Sequence, residues 1–160
     1  MPPVPRTEYE KELVGTIGTY GWQITSVFDP KRKDPPFTYS VGINESLNKP
    51  DVIIIGIHPQ TAKNIINLYG DGLRIDAEKY QRGGVYSDLL PGFGVCFIDA
   101  NDDAKTNYTL SCKWYYGGIG FDLIQCVWQS EDHIWPWDDE ADDQLKFDQP
   151  LFGEKPKVLR

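Results

Sequence analysis

The sequence predicts an α+β fold: a single domain built on a largely antiparallel mixed sheet of about five strands, flanked by two or three helices. Three observations carry that expectation. Apolar side chains alternate with period two in residues 22–28, 37–43 and 121–128, the mark of half-buried strands. DVIIIGI is a continuous apolar run of strand length, which suits a central strand covered on both faces. Two further stretches carry apolar residues at helical spacing and are bracketed by capping residues.

In chain order, TEYEKELVGTIGTYG reads as a helix with Thr7 as N-cap and Glu10 completing a capping box. Tyr9, Leu13, Ile17 and Tyr20 form its apolar stripe, and Gly21 is its stop. WQITSVFD is a strand with Trp22, Ile24 and Ser26 on one face, and DPKRKDPP is a loop. FTYSVGI is a second strand, placing Phe37, Tyr39, Val41 and Ile43 together, and NESLNKP is a loop before the central DVIIIGI. HPQTAKNIINLYG opens a helix on Pro59 and buries Ala62, Ile65, Ile66 and Tyr69. RIDAEKYQRGGVYSDLLPGFG is mixed, FGVCFIDA is a strand, and FDLIQCVWQ is the last strand. TNYTLSCKWYYGG is compatible with a strand or with a helix stopped by Gly117 and Gly118. The domain covers residues 1–160, with a core over 7–153, an acidic, irregular Trp- and Pro-containing segment over 131–148 fastened by Trp135 and Trp137, and a tail over 154–160.

Composition narrows the function classes. The net charge is −8, but seven acids lie within EDHIWPWDDEADD, and the remainder carries −1. A near-neutral body disfavours direct binding of a nucleic-acid polymer, which needs a basic surface. No apolar run is long enough to span a membrane, and MPPVPRTEYEKELVG lacks the apolar centre of a signal peptide, so a cytoplasmic protein is expected. Cys96, Cys112 and Cys126 are odd in number and set among apolar neighbours, which reads as buried thiols.

Chemistry-bearing patterns are sparse. Gly15, Gly18 and Gly21 lack the dinucleotide spacing and follow no strand, and the chain has no P-loop. His58 ends the central strand before a helix, a place where ligands sit on open sheets and also a place for a helix cap. Ser40 or Asp99 would assist it in a hydrolase or transferase, although SVG is no nucleophile elbow. His133 adjoins Asp132 in a solvated acidic segment, and that segment lacks the ligand order of a calcium loop, so neither a metal nor a cofactor is expected.

The succession PPFTYSVGI, PDVIIIGI-HP, FDLIQCVW and WPW…DQPLFG resembles the bacterial DUF4262 family, a domain of unknown function, from about Thr7 to Gly153. Phe37, Tyr39, Ser40, Val41 and Gly42 match its first motif, and Pro50, Asp51, Val52, Ile53 and Gly56 its second. Near the end Ile124, Gln125, Val127, Trp128, Pro136, Trp137, Gln149, Pro150 and Leu151 match. Gln129, Ser130 and His133 stand where relatives carry proline, aspartate and glycine. The resemblance implies no activity, substrate or cofactor, and directs attention to Tyr39, Ser40, Gln125, Trp128 and Trp137.

The preferred functional expectation is a small non-catalytic binding module for a protein or small-molecule ligand, rather than an enzyme. Its contacts would come from Tyr39, Gln125, Trp128, Trp135 and Trp137, with Asp138 and Asp139 as a charged rim. The alternatives are the His58 hydrolase or transferase, and a bacterial or phage defence or counter-defence protein sequestering a nucleotide signal with Arg74, Lys79 and Arg82 pooled in a homo-oligomer.

Overall fold

The computed structural model describes residues 2–31 and 33–157. Helix α1 (Glu8–Tyr20) starts in the expected capping box: Thr7 Oγ1 accepts the Glu10 N–H at 3.0 Å and the Glu10 carboxylate accepts the Thr7 N–H. It ends at Gly21, whose φ of 101° is open to glycine. Its buried stripe is narrower than expected. Leu13 and Ile17 are buried, but Tyr9 and Tyr20 are exposed, and the Tyr9 hydroxyl instead bonds Ser111 Oγ at 2.6 Å.

The sheet has six strands in the order β1-β2-β3-β6-β5-β4. They are β1 (Gln23–Val27), β2 (Phe37–Val41), β3 (Asp51–Ile55), β4 (Val85–Leu90), β5 (Phe93–Asp99) and β6 (Leu123–Trp128). Every pairing is antiparallel except β3 with β6, so the sheet is mixed and largely antiparallel. All five residues of β3 are buried, as its apolar run requires of a strand with neighbours on both edges and cover on both faces. The sixth strand is the edge strand β4, hidden in the segment of mixed character because half of its residues face water.

Three stretches expected to be irregular or ambiguous are helical. Ile43 does not continue β2: Gly42, at φ 113°, turns the chain into the short helix α2 (Ile43–Leu47) where a loop was expected. Helix α3 (Pro59–Ile75) follows, burying Ala62, Ile65, Ile66 and Tyr69. TNYTLSCKWYYGG forms one π-type turn (Ala104–Tyr108) and helix α4 (Leu110–Tyr116), stopped by Gly117 in the left-handed region. The acidic segment contains α5 (Asp143–Asp148), whose first turn is capped by the Asp142 carboxylate accepting the Leu145 N–H at 2.8 Å.

Two layers cover the sheet. On one face α3 packs Ile65, Ile66 and Tyr69 against Val52, Ile54, Phe97, Ile124 and Cys126. On the other, Leu13 and Ile17 of α1 and Cys112 and Tyr115 of α4 meet Tyr39, Val41, Ile53 and Ile55. That second face continues over β5 and β6, where Trp135 covers Cys96, Ile98 and Val127.

Gly56 shows how closely the C-terminal segment is laid on the end of β3. It sits at φ 83°, and a Cβ there would lie 1.8 Å from the Asp148 carbonyl oxygen. Gly56→Ala is therefore expected to destabilise the fold by about 3 kcal/mol, combining left-handed strain with a backbone clash, and to lower the melting temperature by roughly 10 °C. Gly15→Ala, in the exposed interior of α1 with nothing within 4 Å of the added methyl, is expected to stabilise by about 0.5–1 kcal/mol. Thermal or urea unfolding of the two variants measures both signs.

Candidate ligand cleft

The three residues of the catalytic expectation do not converge. Ser40 lies level with Val52 in the β2–β3 register, its hydroxyl accepting the Val52 N–H at 3.0 Å. Asp99 pairs with Ile124, which pairs with Val52, so it lies at the same end of the sheet. His58 follows the opposite end of β3, and the strand from Val52 to Ile55 alone spans roughly 10 Å. His58 is the N-cap of α3: its Nδ1 accepts the Gln60 N–H at 3.2 Å. Asp99 is engaged by the Arg82 side chain, which also bridges to Asp122.

The polar residues inside the sheet hold the backbone. Gln125 is fully buried: its Nε2 donates to the Pro150 carbonyl and its Oε1 accepts the Phe152 N–H, both at 2.8 Å. Gln149, also buried, grips the backbone N–H and carbonyl of Trp128 with its amide, each at 2.8 Å. The Trp128 indole N–H donates to the Ile55 carbonyl at 2.8 Å. Tyr39 is buried and its hydroxyl accepts the Ser111 N–H at 3.1 Å. Trp135 is buried and stacks on Trp137 at 5.2 Å between centroids. The Trp137 Nε1 is buried without a hydrogen-bond partner among the described residues. Asp138 accepts the Trp135 N–H at 2.8 Å, shaping the turn, while Asp139 is exposed. Of the seven expected contact residues, Tyr39, Gln125 and Trp135 present almost no surface to a partner.

Asp51, at the start of β3, is fully buried. Its carboxylate accepts four bonds: Ser40 Oγ at 2.7 Å, the Ile43 N–H at 3.0 Å, the Asn44 N–H at 3.2 Å and the Tyr116 hydroxyl at 2.6 Å. Burial pushes its carboxyl up to about 6, and the donors, Ser40 first, pull against that rise. Burial beside Asp51 also drives the Tyr116 hydroxyl and the Cys112 thiol upward. Cys112 donates to the Ser40 carbonyl at 3.1 Å, and Ser40, Asp51 and Cys112 are all fully buried.

The open site lies elsewhere, where β1 and β3 end and β2 begins, on the α1/α4 face. An inner lobe of about 500 Å3 has Phe37, Ile55 and Tyr108 as floor and Pro150 on one side. An outer lobe of about 580 Å3 runs past Pro36 and Gly56. Phe28 and Phe147, 60% and 53% exposed, border both lobes. The floor is fixed by packing: Phe37 and Tyr108 meet edge to face at 5.3 Å, and Tyr108 rests on Phe152 at 4.6 Å. The charged lining is Asp29, Asp34 and Asp148 against Lys146. Asp29 accepts the N–H groups of Lys31, Lys33 and Asp34 at 3.0, 3.0 and 3.2 Å, and these, Lys31 foremost, hold its carboxyl below the usual carboxylate range. The exposed Lys31 and Lys33 of that loop do not line the cleft.

None of the aromatic lining was anticipated from sequence. Its one signal was Phe28 and Phe147 standing as isolated large apolar residues in charged surroundings, FDPKRKD and DQLKFDQP. A larger cavity, about 680 Å3, lies between β5 and residues 152–157, but the guanidinium and carboxylate at its base, Arg82 and Asp99, are bound to each other. Among the described residues no group of three or more histidine, cysteine, aspartate or glutamate side chains is placed to hold a metal ion, and no helix is long and apolar enough to cross a membrane.

The Asp51 titration has a definite sign. Its folded pKa lies above the ordinary 3.8, so the native state holds the proton more tightly than the unfolded chain. The resulting stabilisation is present in acid and is lost as pH rises through about 6. Asp51→Asn leaves an amide N–H₂ facing the Asn44 N–H and is expected to destabilise by about 1–3 kcal/mol. It also removes the titration, so the deficit relative to wild type should widen by about 1 kcal/mol from about pH 7.5 to about pH 5. Urea unfolding at the two pH values measures the difference, and a constant deficit would refute the assignment.

No curated protein and no solved structure matches the chain. A family model described as "Domain of unknown function (DUF4262)" matches residues 16–142, a range that takes in the β2 and β3 motifs, the Asp51 set, Trp135 and Trp137. His133, which stands where the resemblance puts a glycine, has φ 63°, the left-handed backbone that glycine adopts most readily. By the family match over most of its length, the chain belongs to the DUF4262 family.

Proposed function

We propose that this protein is a small, non-catalytic binding module and that its ligand site is the Phe28–Phe147 cleft. One observation carries the reading: the two exposed phenylalanines among the described residues, 60% and 53% accessible, face a common preformed cavity instead of being scattered. Large apolar side chains left in water around a concave site mark a binding surface. Each lobe has the volume of a small-molecule or side-chain pocket. Among the described lining residues three carboxylates stand against one ammonium, which favours a ligand with an apolar body and a positive charge. A cytoplasmic location belongs to the same proposal and is supported by three buried, unpaired thiols, the state that a reducing compartment preserves.

4-Phenylbutylamine and 4-phenylbutyrate carry the same apolar body with opposite charge. In an NMR titration the amine is expected to shift resonances of residues 27–37 and 146–150 and to bind about fivefold more tightly than the acid. Phe147→Ala, at an exposed position, should weaken the amine about tenfold without unfolding the chain. Shifts centred elsewhere, or equal affinity for the two probes, would reject the site or its charge preference.

A further inference from the structure

We infer that the free edge of β1 and the adjoining cleft form one docking trough for an extended, basic peptide segment, which adds to the sheet as a seventh strand and drops an apolar side chain between Phe28 and Phe147. This deepens the reading above and rests on it, since the anchor occupies the proposed cleft.

The argument starts from hydrogen bonds. β1 is an edge strand, and among the described residues its backbone bonds to β2 and to no other element. A row of unpaired N–H and C=O groups is a template for another strand. The two edges of the sheet differ in how they are protected. β4 carries Asp88 in mid-strand and has an irregular register between Tyr86 and Leu90, both features that discourage pairing. β1 is QITSV, with no charge, no proline and no bulge, and Ser26 and Val27 are exposed.

The edge is also accessible. α1 and α3 flank it from opposite faces, and between them a cavity of about 360 Å3 opens, bordered by Thr16 and Tyr20 of α1, Lys63 and Asn67 of α3, and Gln23 and Ile24 of β1. At the other end of β1, Val27 lines the inner lobe of the cleft. Open space thus lies at both ends of the strand, with the exposed Ser26 between them.

Strand geometry then defines the occupant. An added strand lies about 4.8 Å from β1 and places alternate side chains on the same face as Thr25 and Val27. The side chain beside Val27 falls at the mouth of the inner lobe, which is apolar. Next to it, among the described residues, the lining carboxylates Asp29, Asp34 and Asp148 outnumber Lys146. A segment with an aromatic or aliphatic anchor flanked by lysine or arginine satisfies both constraints. A second copy of this chain satisfies the hydrogen bonds, but its own β1, QITSV, carries no lysine or arginine to set against those carboxylates.

The test is a display selection of random dodecapeptides on the full chain, followed by NMR mapping with the synthesised winners. The expected result is enrichment of alternating apolar and polar peptides containing lysine or arginine, which shift the amides of Gln23–Val27. N-methylation at alternate peptide positions should then weaken binding at least about tenfold by removing ladder bonds, while methylation at the intervening positions does not. Phe147→Ala should weaken the same peptides about tenfold. The inference is overturned if no such peptides are enriched, if the winners shift other amides, if they are acidic, or if they ignore Phe147→Ala. It is also overturned if the β1 amides shift with protein concentration alone and sedimentation gives a dimer mass, which assigns the edge to a second copy. Failure of the peptides while 4-phenylbutylamine still occupies the cleft removes the strand-addition claim alone. Failure of both probes removes the cleft as a site.

Discussion

The buried carboxylate of Asp51 is the interaction on which the arrangement of β2, β3 and α4 depends. A charge in the interior is tolerated only when its oxygens are saturated with donors. Here the four donors come from three elements: Ser40 in β2, the amides of Ile43 and Asn44 that open α2, and Tyr116 at the end of α4. The need to satisfy one side chain thereby fixes where β2 ends, why the chain turns at Gly42, and how α4 approaches the sheet. Tyr116 passes the constraint on, because its hydroxyl also accepts the Gly42 N–H at 3.1 Å.

A second set of side chains does the equivalent work at the other end of the sheet. Gln125 and Gln149 use their amides to replace a missing ladder, one holding residues 150–152 and the other holding Trp128. The C-terminal segment is thereby tied across β6 although it forms no strand. The cleft is a product of that tie. Phe147 and Pro150 are brought opposite Phe28 and Phe37 only because the segment carrying them is held against Gly56. Binding surface and sheet closure share the same hydrogen bonds, while the exposed Phe28 and Phe147 at the rim remain free to change.

Much of the fold was legible in local chemistry. Thr7, Glu10 and Gly21 specify both ends of α1, Pro59 specifies the start of α3, and the all-apolar β3 specifies a central strand. The losses have physical causes. β4 escaped because an edge strand with Ser87 and Asp88 facing water lacks a clean alternation. α2 and α5, at five and six residues, are too short for a helical period and exist because Asp51 and Asp142 cap their first turns. TNYTLSCKWYYGG has strand-forming residues that tertiary packing overrides, with Cys112 and Tyr115 buried on one side of a helix. The sites were harder. Ser40 and Gln125 drew attention as polar residues in strands, and the structure spends them on backbone and on Asp51. The cleft joins residues 27–37 to residues 146–150, a juxtaposition no local pattern announces. Asp51 was the signal open to a closer reading, since a carboxylate heading an apolar central strand has to find donors.

The three thiols lead to a different consequence. Cys96, Cys112 and Cys126 lie in separate parts of the core, and burial raises all three thiols, that of Cys96 to about 11. A thiol reacts as its thiolate and only where reagent can reach it. Cys126 lies under α3, Cys96 under the tryptophan segment, and Cys112 on the inner face of α4 against β2, so each samples the lifting of a different layer. The chain therefore carries three built-in reporters of its own breathing, and the order in which they become modified traces which layer of the molecule parts from the sheet first.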